Sequence, residues 1–206
     1  YYETYYQDIY YGRQAIPEGY TSLSKEEAAQ KWWADNVTYT FGYGLSYTSF
    51  SMNVKEMYYN NGTKTTVADG DNLSTALFDS AEGTNNGNAQ VEKLYVDVDV
   101  KNTGDVAGKQ VVQVYVTAPY TSGGIEKSAV TLVGYAKTDE LAPGETQTVT
   151  VEFNVQDMAS WDYLDANQDG SKGDYELDTG AYTVRVMENS HFDCATDVSD
   201  ENDAYD

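Results

Sequence analysis

An all-β chain folded as two antiparallel sheets packed face to face is what this sequence predicts, and three observations carry the prediction. First, Val96, Val98 and Val100 alternate with Asp97, Asp99 and Lys101, and Val112, Val114 and Val116 alternate with Gln113, Tyr115 and Thr117. Val149, Val151, Phe153 and Val155 repeat the pattern. A period of two puts the aliphatic side chains on one face of a strand and the polar ones on the other. Second, turn chemistry separates the alternating runs, at Asn102-Thr103-Gly104-Asp105, Ser122-Gly123-Gly124 and Ala142-Pro143-Gly144-Glu145, where glycine supplies positive φ and proline pre-sets its own. Third, the runs are short and number about seven, as an immunoglobulin-like sandwich requires.

In chain order the candidate strands are Ser49–Tyr58, Val91–Lys101, Lys109–Thr117, Val130–Lys137, Thr146–Val155, Ser160–Leu164 and Ala181–Glu188. Residues 1–47 precede them as an extension, read as tyrosine-rich coil with one short helix. Ser24 with Glu27 makes a capping box, and Lys25 to Trp33 are helix formers with an aromatic end. So short a helix does not hold itself up in water, and Trp32 and Trp33 are its docking surface, either on the sandwich or on a further domain. The sandwich is expected over 48–190, interrupted by an Asn-, Gly- and Thr-rich insertion at 59–90. Residues 191–206 form an acidic tail or a connection.

Composition narrows the partners. A formal net charge of −22 is the wrong sign for nucleic acid or an anionic membrane, so neither is expected. One cysteine, Cys194, excludes an intramolecular disulfide. No stretch approaches 18 apolar residues, and the first residues lack a basic-then-apolar signal pattern; the start on Tyr1-Tyr2-Glu3 reads as an internal piece. Localisation stays open between extracellular and bacterial cytoplasmic. Asn36-Val37-Thr38, Asn61-Gly62-Thr63 and Asn72-Leu73-Ser74 fit the glycosylation pattern, which matters only in a eukaryotic secretory context. Tyr1, Tyr2, Tyr5, Tyr6, Tyr10 and Tyr11 could stack on sugar rings or fill a contact between domains. His191 reads as a solvated loop residue.

Several segments, in order, resemble one family. Phe41-Gly42-Tyr43-Gly44-Leu45-Ser46-Tyr47-Thr48-Ser49-Phe50 is similar to the F-G-[HY]-G-L-S-Y-T-x-F segment that opens the fibronectin type III-like domain of glycoside hydrolase family 3 enzymes. Lys101-Asn102-Thr103-Gly104-Asp105-Val106-Ala107-Gly108, continued by Val111-Val112-Gln113-Val114-Tyr115-Val116, resembles the V-K-N-T-G-x-x-A-G-x-E-V-V-Q-L-Y-V stretch, with Lys109-Gln110 in place of the acidic lead-in. Leu132-Val133-Gly134-Tyr135 is similar to L-K-G-F, and Leu141-Ala142-Pro143-Gly144-Glu145 to L-x-P-G-E. Ser160-Trp161-Asp162 and Gly180-Ala181-Tyr182-Thr183-Val184 resemble the last two strands. The resemblance spans roughly residues 38–190.

It implies a non-catalytic structural module of a β-glucosidase- or β-xylosidase-type enzyme, packing on and stabilising the catalytic barrel and α/β domains of the same parent enzyme. Family members are retaining β-glycosidases with an Asp nucleophile and a separate acid/base carboxylate. The S-D-W nucleophile motif is absent, and His191 lacks the preceding lysine of the family's substrate-binding pair. No catalytic residue is therefore assigned to this chain.

One loop carries its own chemistry. Asp165-Ala166-Asn167-Gln168-Asp169-Gly170-Ser171-Lys172-Gly173-Asp174-Tyr175-Glu176 fits D-x-[DN]-x-[DN]-G-x5-E, the calcium loop pattern. Asp165, Asn167, Asp169, the Ser171 carbonyl and a bidentate Glu176 would be the Ca2+ ligands. Four carboxylates within twelve residues repel one another without a cation. Against this, the flanks read as strands where an EF-hand needs helices, and Asn, Asp and Gly are also what a hairpin tip uses. The rival function is accordingly an extracellular calcium-stabilised adhesion or carbohydrate-binding module.

Overall fold

A computed structural model describes residues 2–60, 62–71, 93–121, 123–166, 170 and 172–191. Among the described residues nine strands follow two helices: α1 (Tyr2–Tyr10), α2 (Lys25–Asn36), β1 (Phe50–Asn60), β2 (Lys64–Val67), β3 (Lys93–Asn102), β4 (Val111–Thr117), β5 (Thr131–Lys137), β6 (Thr146–Asn154), β7 (Ser160–Asp162), β8 (Asp174–Glu176) and β9 (Thr183–Met187), with a 3-10 turn at Val155–Met158 between β6 and β7. One sheet has the order β2-β1-β3-β6 and the facing sheet β5-β4-β9, while β7 and β8 form a separate hairpin. Each pairing among these strands is antiparallel.

All seven candidate strands are present, and the alternation places the core as expected. Val96, Val98 and Val100 from β3, Val149, Val151 and Phe153 from β6, and Val112, Val114 and Val116 from β4 are buried in one cluster with Val184 and Val186 of β9. Asp97 and Asp99 point the other way and accept hydrogen bonds from Thr150 Oγ1 (2.6 Å) and Thr148 Oγ1 (2.5 Å) on β6. Cross-strand pairs of this kind stabilise a solvated sheet face. On the same face Lys64 lies 3.8 Å from the Tyr58 ring centroid and pairs with Glu56 at 2.5 Å, which holds the Glu56 carboxyl below its ordinary range.

The two sheets come into close contact where β5 crosses β6. Val133 is an extra residue in the β4–β5 ladder, because Val114 faces Gly134 while Tyr115 faces Leu132. A β-carbon on Gly134 would lie 2.9 Å from the Glu152 carbonyl oxygen and 2.9 Å from Val151. Glycine lets the bulged strand press against a neighbouring backbone.

The N-terminal extension holds more structure than coil with one helix. The Ser24–Glu27 capping box forms, with Glu27 N–H donating to Ser24 Oγ (3.2 Å) and Ser24 N–H to Glu27 Oε2 (3.1 Å). The second helix, α1, has no strong local signal. It exists because Ile9 buries fully against Ala28 and Ala29 of α2 and Tyr5 packs on Trp32 with centroids 4.5 Å apart. Tertiary packing, rather than propensity, stabilises so short a helix. Strand β2 lies inside the expected 59–90 insertion; residues 72–92 and 192–206, which hold the rest of that insertion and the acidic tail, are outside the described residues.

Candidate functional site

Segment 37–49 joins α2 to β1 and crosses the outer face of the β5-β4-β9 sheet. Two buried side-chain amides fix it. Gln113 of β4 donates from Nε2 to the Gly42 carbonyl (3.0 Å) and the Glu188 carbonyl (2.8 Å), and its Oε1 accepts the Tyr115 hydroxyl (2.8 Å). The Ser190 N–H donates to the Phe41 carbonyl (2.9 Å). Gly42 has φ +82°, and a β-carbon there would strike the Gln113 amide and lie 2.7 Å from the Tyr115 hydroxyl. Only glycine meets both demands.

Asn102, at the end of β3, holds the other end of the segment. It is fully buried. Its Nδ2 donates to the Val106 carbonyl (2.8 Å) and the Leu141 carbonyl (2.9 Å), and its Oδ1 accepts from Thr48 Oγ1 (2.8 Å) and Gly104 N–H (3.0 Å). Asn102 N–H donates to the Glu145 carbonyl (3.0 Å), and its own carbonyl accepts from Gly144 (2.9 Å). One side chain therefore joins the 48–50 strand entry, the 103–108 turn and the 141–145 turn. Leaving any of these groups unpaired in the interior costs more than the bond itself contributes.

Around and between these anchors the large apolar side chains face outward. Tyr39 is 70% exposed, Phe41 66%, Tyr43 47%, Leu45 87% and Tyr47 100%. Gln113 and Tyr115 are buried although they occupy the polar register of β4, because this segment covers them. Alternation alone placed them on the face opposite the valines. Their signal in the sequence is their position between valines in a strand whose two faces are both covered.

His191 is not solvated. Its ring stacks on Trp33 with centroids 3.9 Å apart and planes within 10°, and meets Tyr6 edge-on at 4.8 Å. Trp33 therefore packs within this chain, against the residues following β9, and the Ala129 N–H donates to Thr4 Oγ1 of α1 (3.1 Å). Tyr5, Tyr6 and Tyr10 are half-buried in the helix pair, while Tyr11 stays 63% exposed. Tyr1 and the Tyr2 side chain lie outside the described residues.

The calcium pattern falls on the β7–β8 hairpin, whose register pairs Ser160 with Glu176, Trp161 with Tyr175 and Asp162 with Asp174. Asn167, Asp169 and Ser171 lie outside the described residues. Asp165 has φ +57° and accepts the Gly170 N–H at Oδ1 (3.1 Å). Glu176 sits on β8, in strand register rather than in a helix. Asp162, outside the pattern, is buried and organises the turn: its carboxylate accepts from Leu164 N–H (2.9 Å) and Ala166 N–H (2.6 Å), and its carbonyl from Gly173 N–H (2.7 Å). Lys127, its side chain 3% exposed, fixes the hairpin base through Asp178 (2.6 Å) and Ser160 Oγ (3.2 Å). Trp161, Tyr163 and Tyr175 remain exposed.

The comparisons agree with this architecture. Residues 110–190 match the fibronectin type III-like domain family. The chain is 36% identical over 166 residues to β-glucosidase A of Butyrivibrio fibrisolvens, covering 81% of this chain and 17% of that protein. It is 36% identical over 149 residues to a β-glucosidase of Ruminococcus albus, covering 72% of this chain and 12% of the relative. The chain thus spans under a fifth of the curated relatives it matches. A solved β-glucosidase from Paenibacillus barengoltzii superposes with TM-score 0.56 at 32% identity, over 79% of this chain and 15% of that one. A Thermotoga neapolitana β-glucosidase 3B in complex with glucose gives 0.52 at 27%, over 87% and 21%. With its two-sheet sandwich and the ordered motifs of the 41–50, 101–116 and 141–145 segments, this chain carries the fibronectin type III-like domain of glycoside hydrolase family 3 enzymes.

Proposed function

We propose that the chain is a non-catalytic structural module of a β-glucoside-cleaving enzyme, packing on and stabilising the catalytic barrel and α/β domains of the same polypeptide. The observation that supports this most is coverage: proteins named β-glucosidase align with the chain over only 12–17% of their length, and that share is a sandwich held by buried valines and amides. The buried polar side chains Asn102, Gln113 and Asp162 are engaged in hydrogen bonds within the chain, to backbone groups and to the Thr48 and Tyr115 hydroxyls. The isolated chain is expected to give no turnover of an aryl β-glucoside. Deleting residues 38–190 from a longer polypeptide that contains them shortens its half-life against thermal inactivation. Turnover by the isolated chain, or a deletion without effect on inactivation, contradicts the proposal.

A second reading, a calcium-stabilised adhesion or carbohydrate-binding module, is favoured by the exposed Trp161, Tyr163 and Tyr175 on and beside the β7–β8 hairpin. Aromatic faces of this kind stack on sugar rings, and a cation in the adjoining loop would add stability by mass action. It requires both a saturable rise of melting temperature with calcium, lost in Asp165→Ala, and quenching of Trp161 fluorescence by cello-oligosaccharides. Failure of either leaves the structural reading.

A further inference from the structure

We propose that the clamped segment from Tyr39 to Tyr47 is the surface by which this module docks on the sugar-cleaving part of its own polypeptide, with Leu45 and Tyr47 as the central anchors. This deepens the structural-module reading and rests on it. Five large apolar side chains stand exposed within nine residues, and Leu45 and Tyr47 are 87% and 100% accessible. Apolar exposure this dense marks an interaction surface.

The segment is also rigid. Gln113 grips it at Gly42 and Asn102 at Thr48, just past its end, Gly42 has no room for a side chain, and a β-carbon on Gly104 would lie 2.8 Å from the Ser49 nitrogen. A preorganised surface loses little conformational entropy on docking, so its apolar contacts are retained as affinity.

Charge identifies the occupant. In a chain of net charge −22, residues 37–54 contain no Asp, Glu, Lys or Arg. Depletion of charge with enrichment in tyrosine and phenylalanine is the composition of an interface centre. A second copy brings the same large negative charge and is repelled at moderate ionic strength. The sequence outside this chain, more than four-fifths of the length of the matched relatives, supplies the alternative: a partner in the same polypeptide at high effective concentration.

The test is hydroxyl-radical footprinting of the 206-residue chain and of the longer polypeptide that contains it, with Tyr135, 72% exposed on β5, as internal reference. Tyr43, Leu45 and Tyr47 are expected to oxidise about fivefold more slowly in the longer polypeptide, with Tyr135 unchanged. Leu45→Asp and Tyr47→Asp in that polypeptide shorten its thermal-inactivation half-life about tenfold, whereas Tyr135→Ser leaves it as it was. Equal oxidation in both contexts, together with wild-type inactivation of both variants, overturns the docking surface even where deletion of 38–190 still destabilises. Concentration-dependent protection within the isolated chain identifies a second copy as the occupant and overturns the intramolecular assignment. Absence of β-glucoside hydrolysis by the longer polypeptide overturns the structural-module reading itself.

Discussion

Strand β3 and segment 39–47 reach fixed shapes by opposite means. β3 lies hydrogen-bonded between β1 and β6, and its valines alternate into the core, so many small contacts share the work. Segment 39–47 sends its apolar groups outward and depends on two amide side chains belonging to other strands. The first kind of order degrades gradually when a methyl group is removed. The second fails at individual atoms, because a buried donor or acceptor is either paired or not.

The largest effect is therefore expected at the anchor that serves both regions. Asn102→Leu removes four side-chain hydrogen bonds, taking the side-chain donor from the Val106 carbonyl and leaving the Leu141 carbonyl only the Gly108 N–H, at a cost of about 3–5 kcal/mol. Thermal unfolding followed by circular dichroism would show a drop on the order of 10 °C for a chain of this length. A drop of a degree or two would mean that the three joined turns hold themselves.

Val98→Ala probes the shared kind of order. It removes buried methyl groups from β3 and leaves a small void, which costs about 2 kcal/mol and is read from urea unfolding with an unchanged m value. Gln113→Leu comes next, at about 1–2 kcal/mol of global stability. Its distinguishing mark is local: the Ser190 amide, which donates to Phe41, exchanges with solvent faster while β3 amides keep their protection. Loss of protection throughout β3 would show that the two regions are not separable.

A spectroscopic contrast sharpens the comparison with little change in stability. Burial, with a contribution from Asp178, pushes the Tyr182 phenol up to about 12, against about 10 for an ordinary tyrosine. Because the folded value is the higher one, the associated stability is complete below pH of about 10 and is lost as pH rises through about 12. The difference in absorbance at 295 nm between wild type and Tyr182→Phe should titrate near 12. A midpoint near 10 would contradict the packing of Tyr182 against the core.

What the sequence revealed follows the same division. The seven alternating strands, the Ser24–Glu27 cap and the turns at 102–105 and 142–145 were legible because each depends on neighbours in the chain. Helix α1 and strand β2 were not, since Ile9 is held by Ala28 and Ala29 and β2 by its pairing with β1. Gln113 was assigned to the polar face of β4, and its burial was not foreseen because alternation records which side a residue faces, not what covers that side. His191 was misread for the same reason, its cover being Trp33 and Tyr6 from the other end of the chain. Asp162 was passed over because its neighbours in the calcium pattern drew the assignment, while its own carboxylate closes the hairpin. The docking stripe was readable as a motif, but its exposure became visible only once both of its anchors were placed.

Calorimetric titration of the 206-residue chain into the hydrolase domains prepared without it tests the central claim most directly. The account predicts saturable one-to-one binding with a negative heat-capacity change, weakened more than about tenfold by Tyr47→Asp. No binding, or equal binding by the Tyr47→Asp chain, would contradict it.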